Sequence, residues 1–229
     1  PVRRETNGQL SLLTSEDDFL QHAHFHSWNW FRQAAAQWHR LKQATTQQDF
    51  FEQVNYRSKI TTQDLAHPYK VLYTASGVHI AAVVIETNQM ALNVYGRSVQ
   101  GFVVDHKTYY YDAFSLDEAY YLCALLNAPC VDAAIKDYQS RGKGNVGQRD
   151  IHRTPFEACA IPPFVPTDAD HLALARWSQA AHHAINDLKT MGGLSGKVVA
   201  NRRQARAAVN DYLRQIDVVA RRVLGLDES

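Results

Sequence analysis

The last third of the chain constrains the fold most. Apolar or small residues recur as Leu174, Ser178, Ala181, Ile185 and Leu188, in steps of four and three. After Gly192-Gly193 and Gly196 the rhythm resumes with Ala205, Val209, Tyr212, Ile216, Val219 and Val223. A repeat of about 3.5 residues is the seam of paired helices. Two such helices joined by a short glycine-rich turn predict an antiparallel helical hairpin over 166–229.

Upstream the pattern is mixed. Residues 1–16 are polar and aperiodic and read as an irregular arm. Trp28, Phe31, Ala35, Trp38 and Leu41 step by three or four and predict an amphipathic helix. A short second helix is expected near 46–53. The β-branched runs Tyr69–Ala75 and Val78–Glu86, separated by Ser76-Gly77, predict a β-hairpin. Short strands are expected at 101–104 and 108–111, and another at 156–161, ended by Pro162-Pro163. Ser115 with Glu118 three residues on is a capping box, opening a helix that Asn127 and Pro129 break and restart, with a second helix to about Tyr138. The fold class is therefore α+β: a globular domain over 17–165 with a small β-sheet and packed helices, followed by the C-terminal hairpin.

With 229 residues, 45% hydrophobic and 21% charged, the chain can bury a sizeable core. No run is long and apolar enough for a membrane span, and no signal peptide is seen. Cys123, Cys130 and Cys159 show no CxxC spacing and read as small core residues of a reduced, cytoplasmic protein. The chain begins at Pro1 and is read as a piece of a longer protein.

Net charge is only +1, but residues 136–153 carry Lys136, Arg141, Lys143, Arg149 and Arg153 against Asp137 and Asp150. Local positive charge of this kind is a possible footprint of a polyanion. Within it, Gly142-Lys143-Gly144-Asn145-Val146-Gly147 matches GxGxxG. A dinucleotide site needs a strand before that motif and a helix after it. Here a helix precedes it and polar residues follow, so a polar loop open to close backbone approach fits better. His22, His24 and His26 alternate, but no carboxylate or cysteine lies at ligand spacing nearby, so they read as exposed polar residues. No hydrolytic triad or nuclease carboxylate cluster is evident.

The order of landmarks from Ser115 to His171 carries a resemblance. A helix ending Leu125-Leu126-Asn127 is followed by a short helix. Then come the basic glycine-rich run Gln139–Ile151, the stretch Ala160-Ile161-Pro162-Pro163-Phe164 and a long helix. This resembles the target recognition domain of restriction–modification proteins, found in type I specificity subunits and in type IIG N6-adenine DNA methyltransferases. Tyr56–Ile60 and Tyr73–Gly77 resemble earlier landmarks of the methyltransferase-fused type, and the helical hairpin resembles the spacer helices. Ile161–Phe164 itself is similar to the catalytic tetrapeptide of adenine methyltransferases, but Ile161 cannot accept a hydrogen bond from a target amino group, so the stretch is read as structural.

The resemblance implies a chain that reads double-stranded DNA and is non-catalytic by itself. S-adenosylmethionine would be bound by a parent or partner methyltransferase domain or subunit, with no cofactor or metal in this chain. The first DNA-binding candidates are Ser140, Arg141, Lys143, Asn145, Gln148 and Arg149. Arg can fork onto guanine, and Asn or Gln onto adenine, while other polar groups contact phosphate. Arg57, Lys59, Ser76 and Lys107 are the second group. Two alternatives stay open: a small-molecule enzyme using Tyr109, Tyr110, Tyr111, Tyr120 and Tyr121 as a pocket, and an assembly module acting through the C-terminal helices.

Overall fold

The computed structural model describes residues 2–87, 91–94, 97–100, 102–105, 107–139 and 149–226, with the backbone alone at 91–94, 97–100 and 149. Two compact units are formed, residues 1–66 with 101–106, and residues 67–100 with 107–229.

The first unit opens with a small antiparallel hairpin, not an irregular arm: β1 (Val2–Arg4) pairs with β2 (Leu10–Leu12). Gly8 makes the reversal at φ +85°, a conformation only glycine adopts freely. Helices α1 (Glu16–Gln21), α2 (Phe25–Leu41) and α3 (Phe50–Val54) follow. Capping boxes at Ser15/Asp18 and Asp49/Glu52 set the starts of α1 and α3. Buried Phe19 of α1 touches Trp28 and Phe31 of α2, and Phe31 reaches Phe51 of α3. Residues 102–105 form no strand; instead the buried Gln63 amide bonds both the N–H and the C=O of Val104.

The second unit is built on a three-stranded antiparallel sheet. Its strands are β3 (Tyr69–Thr74), β5 (Ala82–Glu86) and β8 (Thr108–Ala113), in the order β5-β3-β8. Between β3 and β5 lies β4 (Ser76–Gly77), and a separate ladder joins β6 (Ala91–Val94) to β7 (Arg97–Gln100). The β3–β5 pairing was legible. The connection was not: Ser76-Gly77 is no tight turn but a strand of another ladder. Buried Lys70 ion-pairs with its register partner Asp112 and lies 4.9 Å from the Tyr110 ring centre.

Against the sheet packs α4 (Leu116–Asn127), buried from Ala119 to Leu126. Ser115 caps it as expected, but Glu118 bonds the Phe114 N–H and the Tyr111 hydroxyl. Pro129 opens α5 (Pro129–Ala134), and a 3-10 turn ends at Tyr138. β9 (Arg149–Asp150) precedes α6 (Thr154–Cys159), a helix where a strand was expected. Pro155 in its first turn presets helical φ, and Ala160, at φ +44°, stops it.

The hairpin is as the periodicity predicts, with α7 (Ala169–Thr190) and α8 (Val198–Val223). Gly192, at φ +76°, ends α7, while Gly193 N–H reaches back to the Leu188 carbonyl (2.9 Å). A side chain on Gly193 would lie 2.4 Å from Leu188 Cδ1. These helices do not stand apart as a separate module. Buried Leu174, Leu213, Ile216, Val219 and Ala220 join the core cluster of the sheet and α4. The Asp217 carboxylate accepts from the Cys130 N–H at the start of α5 (2.6 Å). The proline stretch is structural: Pro162 C=O accepts from the Tyr121 hydroxyl, and Phe164 stacks with His171. All three cysteines are buried and unpaired, and burial pushes the Cys123 thiol up to about 12. Among the described residues no helix is long and apolar enough to cross a membrane.

Candidate nucleic-acid interface

Residues 75–80 are the hub of the candidate site. β4 pairs antiparallel with β9, Ser76 opposite Asp150 and Gly77 opposite Arg149. Ala75 C=O accepts from both Ile151 N–H (2.9 Å) and His152 N–H (3.1 Å), and Ala75 N–H donates to Lys107 C=O (3.2 Å). On the other side, the Lys136 ammonium donates to Val78 C=O (2.6 Å). Asp132 of α5 collects the His79 ring (2.8 Å), the Ile80 N–H (3.0 Å) and Lys136 (3.1 Å). Burial works to raise the Asp132 carboxyl pKa, but these donors outweigh it and the net shift is downward. Gly77 suits this crowding, since a Cβ there would meet His79 O at 3.2 Å.

The consequence is geometric. The chain entering the glycine-rich stretch is tied to Val78, and the chain leaving it is laddered to Gly77. The two flanks of the segment that carries the basic residues are thus tied to residues 76–78, one by the Lys136 side chain on the Val78 carbonyl and the other by the two-residue ladder of β9 with β4.

Of the sequence candidates, Ser140, Arg141, Lys143, Asn145 and Gln148 lie outside the described residues, as does the GxGxxG match. Arg149 is in β9, Ser76 in β4, and Lys107 is joined through its carbonyl to Ala75, so these three share one corner of the sheet. Arg57 and Lys59 belong to the other compact unit. Arg57 sits in a 3-10 turn at φ +53°, its guanidinium 5.2 Å from the Tyr56 ring centre.

Beside this corner lies a cleft that the sequence reading met in part: it named Tyr109, Tyr110 and Tyr111 but missed Tyr73, Arg153, Phe156 and Glu157. These seven residues line a volume of 390 Å³. Tyr73 stacks on Tyr109, centres 5.4 Å apart, and burial pushes the Tyr73 phenol well above its ordinary range. Tyr120 and Tyr121 do not join it; they are buried in α4. Pro155 followed by Glu157 was the available signal, since proline and an acid mark a helical first turn. A helix there puts Arg153 and Glu157 one turn apart. His22, His24 and His26 are exposed, and among the described residues no group of His, Cys, Asp and Glu could hold a metal ion.

No protein family, curated protein or solved structure matches the chain.

Proposed function

We propose that the chain is a sequence-specific recognition domain for double-stranded DNA, the non-catalytic specificity part of a cytoplasmic restriction–modification N6-adenine methyltransferase, type IIG or type I-like. The observation that carries this reading is the anchoring of both ends of the basic segment on residues 76–78. Recognition loops work from rigid scaffolds, and this segment holds the side-chain types that read base edges. Ser76 and Lys107 at its stem supply polar groups for phosphate contacts, and Arg149 is assigned to base reading. Methyl transfer and S-adenosylmethionine belong, in this reading, to a partner domain or subunit, with α7 and α8 as the docking helices.

The test is selection from random duplexes, followed by anisotropy at several salt concentrations. The expected result is an enriched motif of a few base pairs and affinity that falls steeply with salt. Replacing Arg141 and Arg149 with Ala should weaken specific binding by about 1–3 kcal/mol for each base-reading arginine. Unchanged affinity and preference in the double variant would overturn the assignment.

A further inference from the structure

The tyrosine cleft carries an inference of its own. Its floor is preset. Tyr109 lies at 23° to the buried Tyr73 ring, and Phe156 packs on Tyr73 at 6.2 Å. Its rim is charged with both signs. Arg153 and Glu157 are exposed, four residues apart on one side of α6, and among the described residues neither side chain has an ion-pair or hydrogen-bond partner. The backbone that touches Tyr73 and Tyr109 is strained. His152 is held at φ +43°, a region non-glycine residues rarely occupy. Four contacts hold it there. Its carbonyl accepts from the Tyr73 hydroxyl (2.9 Å) and its Nδ1 meets the Tyr109 hydroxyl (3.2 Å). Its N–H donates to Ala75, and its Nε2 lies 3.6 Å from Asp150. An over-determined outlier of this kind is the sort of strain that gathers at ligand sites.

We propose that the cleft binds a single unstacked nucleobase together with its phosphate. A planar ring laid on the aromatic floor gains stacking that is indifferent to base identity. Glu157 accepts from a ring N–H or exocyclic amino group, and Arg153 donates to a base carbonyl or to the phosphate. The volume lies within the range of about 300–1,000 Å³ typical of small-ligand sites. A free nucleotide and a base turned out of a DNA strand present the same chemistry. The site goes beyond duplex recognition and does not depend on it.

The experiment titrates the full chain with dAMP, dCMP, dGMP and TMP, following the aromatic side-chain resonances of Tyr109 and Phe156. A second arm uses a duplex carrying one unpaired 2-aminopurine and its fully paired counterpart. Resonance shifts with a mononucleotide identify a free nucleotide as sufficient. Preference for the unpaired duplex, with quenched 2-aminopurine fluorescence, identifies the extruded base. Either result should weaken about tenfold in Arg153→Ala and in Glu157→Ala, the loss of one contact of ~1.4 kcal/mol. Both residues are exposed, so these variants should keep the fold, which an unchanged melting curve checks. No shift with any mononucleotide and no preference for the unpaired duplex would overturn the proposal. So would binding that both variants leave intact. Binding of paired duplex that leaves the cleft resonances unmoved overturns the cleft alone and leaves duplex recognition standing.

Discussion

At His182 one ring nitrogen closes part of a strand edge. Its Nδ1 pairs with the Ser178 carbonyl (2.8 Å), which leaves Nε2 to accept the Val84 N–H (3.2 Å). Tyr120 packs edge-on against the ring at 5.1 Å. Burial lowers the His182 pKa below its ordinary value, with neighbouring His183 adding to the effect and the Ser178 carbonyl opposing it. Protonation would turn the acceptor into a donor facing another donor. The unfolded imidazole takes up a proton near pH 6.5, the folded one only at lower pH. The unfolded state therefore binds more protons in that window, and the stabilisation present above about pH 6.5 is lost as pH falls below it. Urea unfolding at pH 7.5 and at pH 5 should show a larger loss in the native chain than in His182→Leu. The variant should also be the less stable of the two at pH 7.5. The periodicity of the last third placed His182 on a helix. It could not show the partner, because Val84 is distant in sequence and the contact exists only after folding.

Among the elements, β5 shows how helices can finish a sheet. It is the edge of the order β5-β3-β8. The Asn127 amide, at the end of α4, accepts from Ala82 N–H (3.0 Å) and donates to Ala82 C=O (2.9 Å). This imitates a neighbouring strand, and with His182 at Val84 it blunts an edge that would otherwise be open to pairing. Asn127→Ala should leave two backbone groups unpaired, at a cost of about 1–3 kcal/mol for each group that water cannot reach. Chemical denaturation measures that loss, and Asn127→Asp, which keeps only the acceptor, should recover part of it. The legible elements were those with local signatures: Ser115 for α4, Pro129 for α5, the seam of α7 and α8. The β4–β9 ladder was not legible. Two-residue strands have no periodicity, and their existence depends on Ile151 and His152 finding the Ala75 carbonyl. α6 was misread because Phe156–Ile161 is apolar enough for either structure, and Pro155 in the first turn decides for helix.

For the molecule as a whole, the hairpin belongs to the core. The sequence separated 166–229 from the domain before it, because the periodicity changes there and the helical pair resembles spacer helices. Instead His171 packs on Tyr121 at 4.4 Å, and Ser178, Leu174 and Ala175 are buried. Truncation after residue 168 should expose the apolar surface of α4, so the shortened chain should lose near-ultraviolet dichroism and bind a hydrophobic dye. Retained cooperative unfolding would contradict this. By contrast the α7–α8 ion pair Arg222–Asp170 (2.6 Å) is half-exposed. Arg222→Ala should cost no more than about 1 kcal/mol in chemical denaturation. Of the candidate site, the basic segment was legible by composition; its fastening to residues 75–80 was not. That fastening sets how far the length of the segment can change without disturbing the core. Once its ends are fixed, lengthening a loop is cheap, each doubling adding about 0.6 kcal/mol. Residues added or removed between Gln139 and Arg149 should thus cost the core that hosts them little.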